Sequence, residues 1–389
     1  MLRIILGFGL ASAAAFSSKR IPYLRFLGSS VMWRLRVLLH SNPLPRDLAG
    51  WEDISTDNDQ QAIEHTRKLM SYWIFLKPFF ELKGYDLFEP MKNKTQWCYL
   101  VPCKSLDTTK RRSDYPYARK CYAKDEELRF LFSSTRVWPA RDIDGNDLMV
   151  RLISGSEPSD ELRIWQRLHS PALKNHPRNR AIPVLEFVEF DGLIFIVMPR
   201  WGSLRKNDFG TAEEVLNMAE SILDFVDFLH EHRIVHRDLD SQNMAMNVVN
   251  NENWDYSTGN HDPKHARYAV IDFGFSLIYP YETKLDSVTT TLRYGWETGE
   301  VQPPRNPFKL EAYRVVERLQ FNVRVVEKFI PEIGPFFDDI LSAHEADRPF
   351  AAEVLRRFRE LKASLTPEQL ATPLEYRYWV KGKFHPKKK

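Results

Sequence analysis

Val235-His236-Arg237-Asp238-Leu239-Asp240-Ser241-Gln242-Asn243 is followed, after an irregular stretch, by Val270-Ile271-Asp272-Phe273-Gly274. Each string adjoins an apolar, strand-like run, so each reads as a turn leaving a strand. Between them they supply a carboxylate (Asp238), an amide (Asn243) and a second carboxylate (Asp272). Phosphoryl transfer needs such a set: one carboxylate receives a hydroxyl, and the other two groups hold metal ions that bridge phosphates. Either string alone arises easily by chance, but both in this order do not.

Working outward, strands precede the two strings and helices follow them. Leu128–Phe132, Arg136–Arg141 and Leu148–Ile153 read as short strands, with the turn Asp144-Gly145-Asn146 between the last two. Glu161–Leu168 has helical spacing. Val184–Phe190 and Leu193–Met198 straddle Asp191-Gly192 and predict a hairpin. Thr211–His232 is the clearest helix, with Thr211 and Glu214 as a capping box and Val215, Ile222, Phe225, Val226 and Leu229 on one face. Phe308–Phe329 and Ala351–Leu365 are further helices. With a hinge near Met198–Gly202, the pattern predicts an α+β, bilobed fold: a small antiparallel β lobe plus one helix over a larger helical lobe.

The strings match the H-R-D-L-x-x-x-N and D-F-G signatures at every specified position, and the chain resembles the eukaryotic protein-kinase superfamily over about Leu128–Leu365. More closely, it resembles the divergent protein-kinase-domain proteins of mushroom-forming fungi. Three features carry that likeness: Val197-Met198-Pro199-Arg200-Trp201-Gly202, the long insertion Val248–Tyr268, and Asn306-Pro307-Phe308. The resemblance implies catalytic roles for Asp238, Asn243 and Asp272, with Asn243 and Asp272 holding Mg²⁺. It implies an ATP site formed by Val137, Arg151, Glu161, Met198, Pro199 and Trp201 together with Asn243 and Asp272. The Pro199 carbonyl and Trp201 amide would address adenine. Arg237 is available for a phosphate on the activation segment. Gly295-Trp296-Glu297 stands in for A-P-E, with Arg348 as the partner of Glu297, and Glu311 occupies the usual place of an Asp.

Three departures qualify this. Arg151 stands where the phosphate-binding Lys belongs, and arginine is planar and bulkier. Counting back from Val137, the Gly-rich loop positions hold Phe130, Phe132 and Thr135, with no glycine to let backbone approach phosphate. Asp240 replaces a Lys that contacts the transferred phosphate. The resemblance thus implies an ATP-dependent protein kinase acting on Ser/Thr hydroxyls of a protein. A pseudokinase scaffold and a small-molecule kinase of related fold are the alternatives.

The chain has 389 residues, 43% hydrophobic and 28% charged, with a net charge of +3. That is room for one bilobed domain with extensions, and too little basic excess for a nucleic-acid binder. The basic run Lys110-Arg111-Arg112 reads as a solvated loop. Cys98, Cys103 and Cys121 lack metal or redox spacing and point to a reducing compartment. Residues 1–46 contain seven Lys or Arg and no acid. They read as a mitochondrial presequence, a secretory signal ending in Ala13-Ala14-Ala15, or an extension of an intracellular, cytoplasmic protein. The apolar run is too short to cross a bilayer. Residues 47–122 form a helical and irregular extension, 123–198 and 199–365 the two lobes, and 366–389 a basic, solvated tail.

Overall fold

The computed structural model describes residues 32–387, apart from 34, 38–42, 55, 57, 92–97, 104–114, 122–127, 205–208, 251–262, 295–296 and 298–301. Most of the acid-free leader, the Lys110-Arg111-Arg112 cluster, Gly295-Trp296 and the centre of the Val248–Tyr268 insertion lie outside the described residues.

Helix α1 (Asp59–Leu82) is followed by β1 (Tyr85–Leu87), β2 (Glu89–Pro90), β3 (Tyr99–Val101), β4 (Arg119–Cys121) and β5 (Phe130–Leu131). Next come β6 (Val137–Asp142), β7 (Asp147–Ser154), α2 (Asp160–Leu168), β8 (Glu186–Phe190) and β9 (Leu193–Pro199). The antiparallel small-lobe sheet runs β1-β6-β7-β9-β8. Asp191 and Gly192 turn the β8–β9 hairpin with φ of 50° and 82°, the left-handed pair that a two-residue turn requires.

One expectation is corrected here. The predicted strand Leu128–Phe132 shrinks to β5 and pairs with β3, not with β6. The edge beside β6 is taken by β1, from far upstream. The described residues between Phe88 and Arg136 therefore stand where a tight glycine loop was sought. That excursion is held by α1, whose buried Trp73 stacks on Trp138 (centroids 5.7 Å) and donates its indole N–H to the Thr135 carbonyl at 2.8 Å. Leu69, Trp73 and Leu76 form the stripe that α1 buries, at a spacing of three and four residues.

The large lobe comprises β10 (Gly202–Ser203), α3 (Ala212–Glu231), β11 (Ile234–Val235), β12 (Met244–Met246), β13 (Val248–Asn250), β14 (Tyr268–Val270) and β15 (Leu277–Ile278). Helices α4 (Pro307–Val323), α5 (Ile333–Ser342), α6 (Ala351–Ala363) and α7 (Pro367–Ala371) follow, then the hairpin β16 (Tyr376–Val380) and β17 (Lys383–Pro386). All five apolar positions expected on one face of α3 are fully buried. Its capping box is only half formed. Thr211 accepts from the Glu214 amide at 3.4 Å, but the Glu214 carboxylate returns to the Gly210 amide, one residue upstream. The lobes together have the expected bilobed α+β architecture, with one apolar core under the small sheet and another between α2 and the large-lobe helices.

The end of the leader, at Leu44 and Arg46, and the C-terminal tail are attached more firmly than composition suggests. Leu44 is buried, Arg46 pairs with Asp191 at 3.1 Å, and its carbonyl accepts from Ser156 at 2.8 Å. At the other end, the expected free tail forms β16–β17. Arg324 lies 4.2 Å from the Trp379 ring centroid, and Lys387 donates to the Phe209 carbonyl. The aromatic residues of Tyr376–Trp379 give that basic tail an apolar side to bury. Residues around β4 cross between lobes: β4 pairs in parallel with β13, and the Trp201 indole donates to the Pro116 carbonyl at 2.8 Å.

Candidate active site

A cavity of ≈ 270 Å³ lies between the lobes. Val137 and Met149 reach it from β6 and β7, Met198 and Trp201 from the hinge, and Ala245, Ile271 and Asp272 from the large lobe. Pro199 is buried beside it and does not line it. The walls are mostly apolar, with Arg151 at one corner and Arg200 also on the lining, a mix that suits a flat ring joined to an anion.

That corner is built by Arg151. In the β7 register it sits opposite Val137 and Ile196, only 3% exposed. Its Nε donates to Glu161 Oε1 at 2.6 Å, joining β7 to α2. Its Nη1 and Nη2 take both oxygens of Asp272, at 3.2 and 2.5 Å. Burying charge without partners is costly, and this triad supplies them. Burial pushes the Asp272 carboxyl up, but Arg151, the Gly274 amide, His236 and Arg136 together hold it below the ordinary carboxylate value. Arg136, which precedes β6, places Nη1 at 3.5 Å from the otherwise unpartnered Glu161 Oε2. Sequence reasoning missed Arg136. Its one signal was a position directly before Val137, hidden inside an expected strand.

The catalytic-loop string is rigidly held. The buried Glu311 carboxylate accepts from the His236 amide at 2.6 and 2.9 Å and from the Arg237 amide at 3.2 Å. His236 Nε2 contacts the Ile271 carbonyl at 2.9 Å, tying the loop to the strand before Asp272. The Phe273 ring packs between His236 and Trp165, each centroid pair at 4.9 Å. Arg237 and Asp272 both adopt φ of 66°, a left-handed conformation that costs non-glycine residues about 1–3 kcal/mol each. Asn243 Nδ2 donates to the Asp238 carbonyl and to its Oδ2, both at 2.8 Å. Burial raises the Asp238 pKa, opposed by His236 and Asn243.

Asp240, which stands in place of a Lys, caps the short turn at Ser241 and pairs with Arg318 at 3.3 Å. Arg237 was expected to be free for a phosphate. It is buried and donates to the carbonyls of Phe275 and Arg293. The expected Arg348–Glu297 pair does not form. Glu297 is held by Arg305, through two bonds of 2.5 and 2.8 Å, while Arg348 stacks 3.9 Å from the Tyr313 ring centroid. Arg305 lies closer because it exchanges backbone hydrogen bonds with Thr290, next to the same segment. Its sequence signal was its place directly before Asn306-Pro307-Phe308.

No family model matches the chain. Over 190 residues, 43% of its length, it is 26% identical to a putative ribosomal protein S6 kinase alpha-2 of Caenorhabditis elegans. The match spans 22% of that relative's length. A solved structure of the Rad53 kinase domain and SCD2 is similar at 16% identity, with a TM-score of 0.38, over 61% of this chain and 89% of that one. No helix among the described residues is long and apolar enough to cross a membrane.

Proposed function

We propose that this chain is a protein kinase of the eukaryotic protein-kinase superfamily, transferring the γ-phosphoryl group of ATP to a Ser or Thr hydroxyl of a protein. We read it as nearest to the divergent fungal group, on the hinge, insertion and Asn306-Pro307-Phe308 features. The observation that supports the activity is that Arg151, joined to Glu161, and Asp272 line the cavity, while Asn243 holds Asp238 on the loop that His236 ties to Ile271. The similarity to a putative S6 kinase supports the same reading.

In this reading the adenine lies against Val137, Met149 and Met198, and the phosphates meet Arg151. Asp238, with its raised pKa, orients the attacking hydroxyl and accepts its proton, while Asn243 holds the Asp238 carboxylate in place. The rest of the catalysis is positioning and charge neutralisation, because no covalent bond to the enzyme forms. Mg²⁺ is the ion implied by the resemblance, through Asn243 and Asp272. Their oxygens are of the right chemistry, and Asn243 bonds Asp238 through Nδ2 and not through its oxygen, but both Asp272 oxygens are engaged by Arg151. The arrangement does not fit the ion, and we route no step through it.

The pseudokinase reading draws on the same Arg151–Asp272 contact and on the missing glycine loop. Transfer of labelled phosphate from ATP to a Ser/Thr peptide library separates the two. We expect transfer by the wild type and a loss of about 10²–10⁴-fold in Asp238→Asn. Equal rates in both proteins, or none in the wild type, would overturn the enzymatic assignment.

A further inference from the structure

We infer that the cleft binds the phosphate chain of a nucleotide without a divalent cation, Arg136 and Arg151 standing in for the ion. This rests on the cleft being a nucleotide site, as proposed above. The first observation is the occupancy of Asp272. A guanidinium fork across both oxygens of a carboxylate is a strong, geometrically matched contact. Here the Arg151 side chain is 4% exposed, while that of Asp272 is 33% exposed and faces the cavity. A cation seeking Asp272 must first break the fork, leaving a buried guanidinium with Glu161 alone.

The second observation is the charge beside it. Arg136 reaches the same corner from the segment before β6, and Gly274 lies close under both side chains. A Cβ at Gly274 would come within 2.9 Å of Nη2 of each arginine. The two guanidiniums converge on one spot, where they share the carboxylates of Glu161 and Asp272. They also bring directional donors. A guanidinium has five N–H groups. Arg151 uses Nε once and Nη1 and Nη2 once each, so the second hydrogens on its terminal nitrogens remain to meet phosphate oxygens from the cavity wall.

Calorimetric titration of ATP into the full chain, once with excess Mg²⁺ and once with EDTA, tests this. We expect Kd values within about threefold of each other in the two buffers, a near-zero difference in binding free energy. In EDTA, Arg136→Gln should weaken ATP by about tenfold or more, the worth of one charge-assisted hydrogen bond. In Arg151→Lys the compact ammonium cannot fork across Asp272, so Mg²⁺ should now tighten ATP binding by about tenfold. Thermal melts of both variants establish that they fold. Wild-type binding that requires Mg²⁺ overturns the inference and leaves the nucleotide site standing. Unchanged affinity of folded Arg136→Gln in EDTA overturns the role of the arginine pair. No binding in either buffer overturns the inference and the nucleotide reading together.

Discussion

Arg151 does more at this site than keep a positive charge. Lysine would offer a point charge to Glu161, whereas the planar fork of arginine reaches Glu161 and Asp272 at once. Its neighbour Gly274 makes that geometry possible by leaving room for the guanidinium ends of Arg136 and Arg151. Gly274→Ala should therefore displace those ends and loosen the Arg151–Asp272 fork, with a stability loss of about 1–3 kcal/mol. It should also weaken ATP binding by about tenfold, through displacement of donors to phosphate. A titration in which the folded Ala variant binds ATP as tightly as wild type would refute the close packing at this corner. Asp238, Asn243, Asp272 and Arg151 were all legible from short strings, since their spacing is local. Arg136 was not, because its use depends on where α1 holds the loop at Thr135.

At the scale of elements, the hairpin at Asp191-Gly192 and the buried face of α3 could be read directly, since turn chemistry and 3.6-residue periodicity are local properties. The edge strand β1 could not, because only long-range pairing separates it from β5. The segment after Gly274 shows the same limit. Glu297 chose Arg305 over Arg348 on spatial grounds that the sequence does not carry. The Arg305 hydrogen bonds hold the Glu297 carboxyl below its ordinary pKa, against the opposing effect of burial. A depressed carboxylate contributes stability above its unfolded pKa, and that contribution is lost as pH falls through the folded value. Glu297→Gln should cost about 1.5–3 kcal/mol at pH 7, the range for hydrogen bonds to charged groups. Urea unfolding of both proteins should show the gap narrowing once pH drops below the ordinary glutamate value. A gap that stays constant into acid would show that the ion pair contributes nothing.

Across the described residues, the extension, Arg46 and the C-terminal tail brace the two lobes. Trp73 reaches Thr135, β4 pairs with β13, Arg46 pairs with Asp191, and Lys387 returns to Phe209. Composition marked the leader and tail as separate from the folded part, because net charge and missing acids do not reveal which aromatic side chains find a surface. The bracing positions the cleft, with the small sheet above and the catalytic-loop string below. The most direct measurement is a crystal structure of the full chain with a non-hydrolysable ATP analogue, grown in EDTA. The base should lie among Val137, Met149, Met198 and Ala245, and the phosphates should meet Arg136 and Arg151 beside an intact Arg151–Asp272 contact. An empty cleft at saturating analogue, or phosphates bound away from both arginines, would contradict the account.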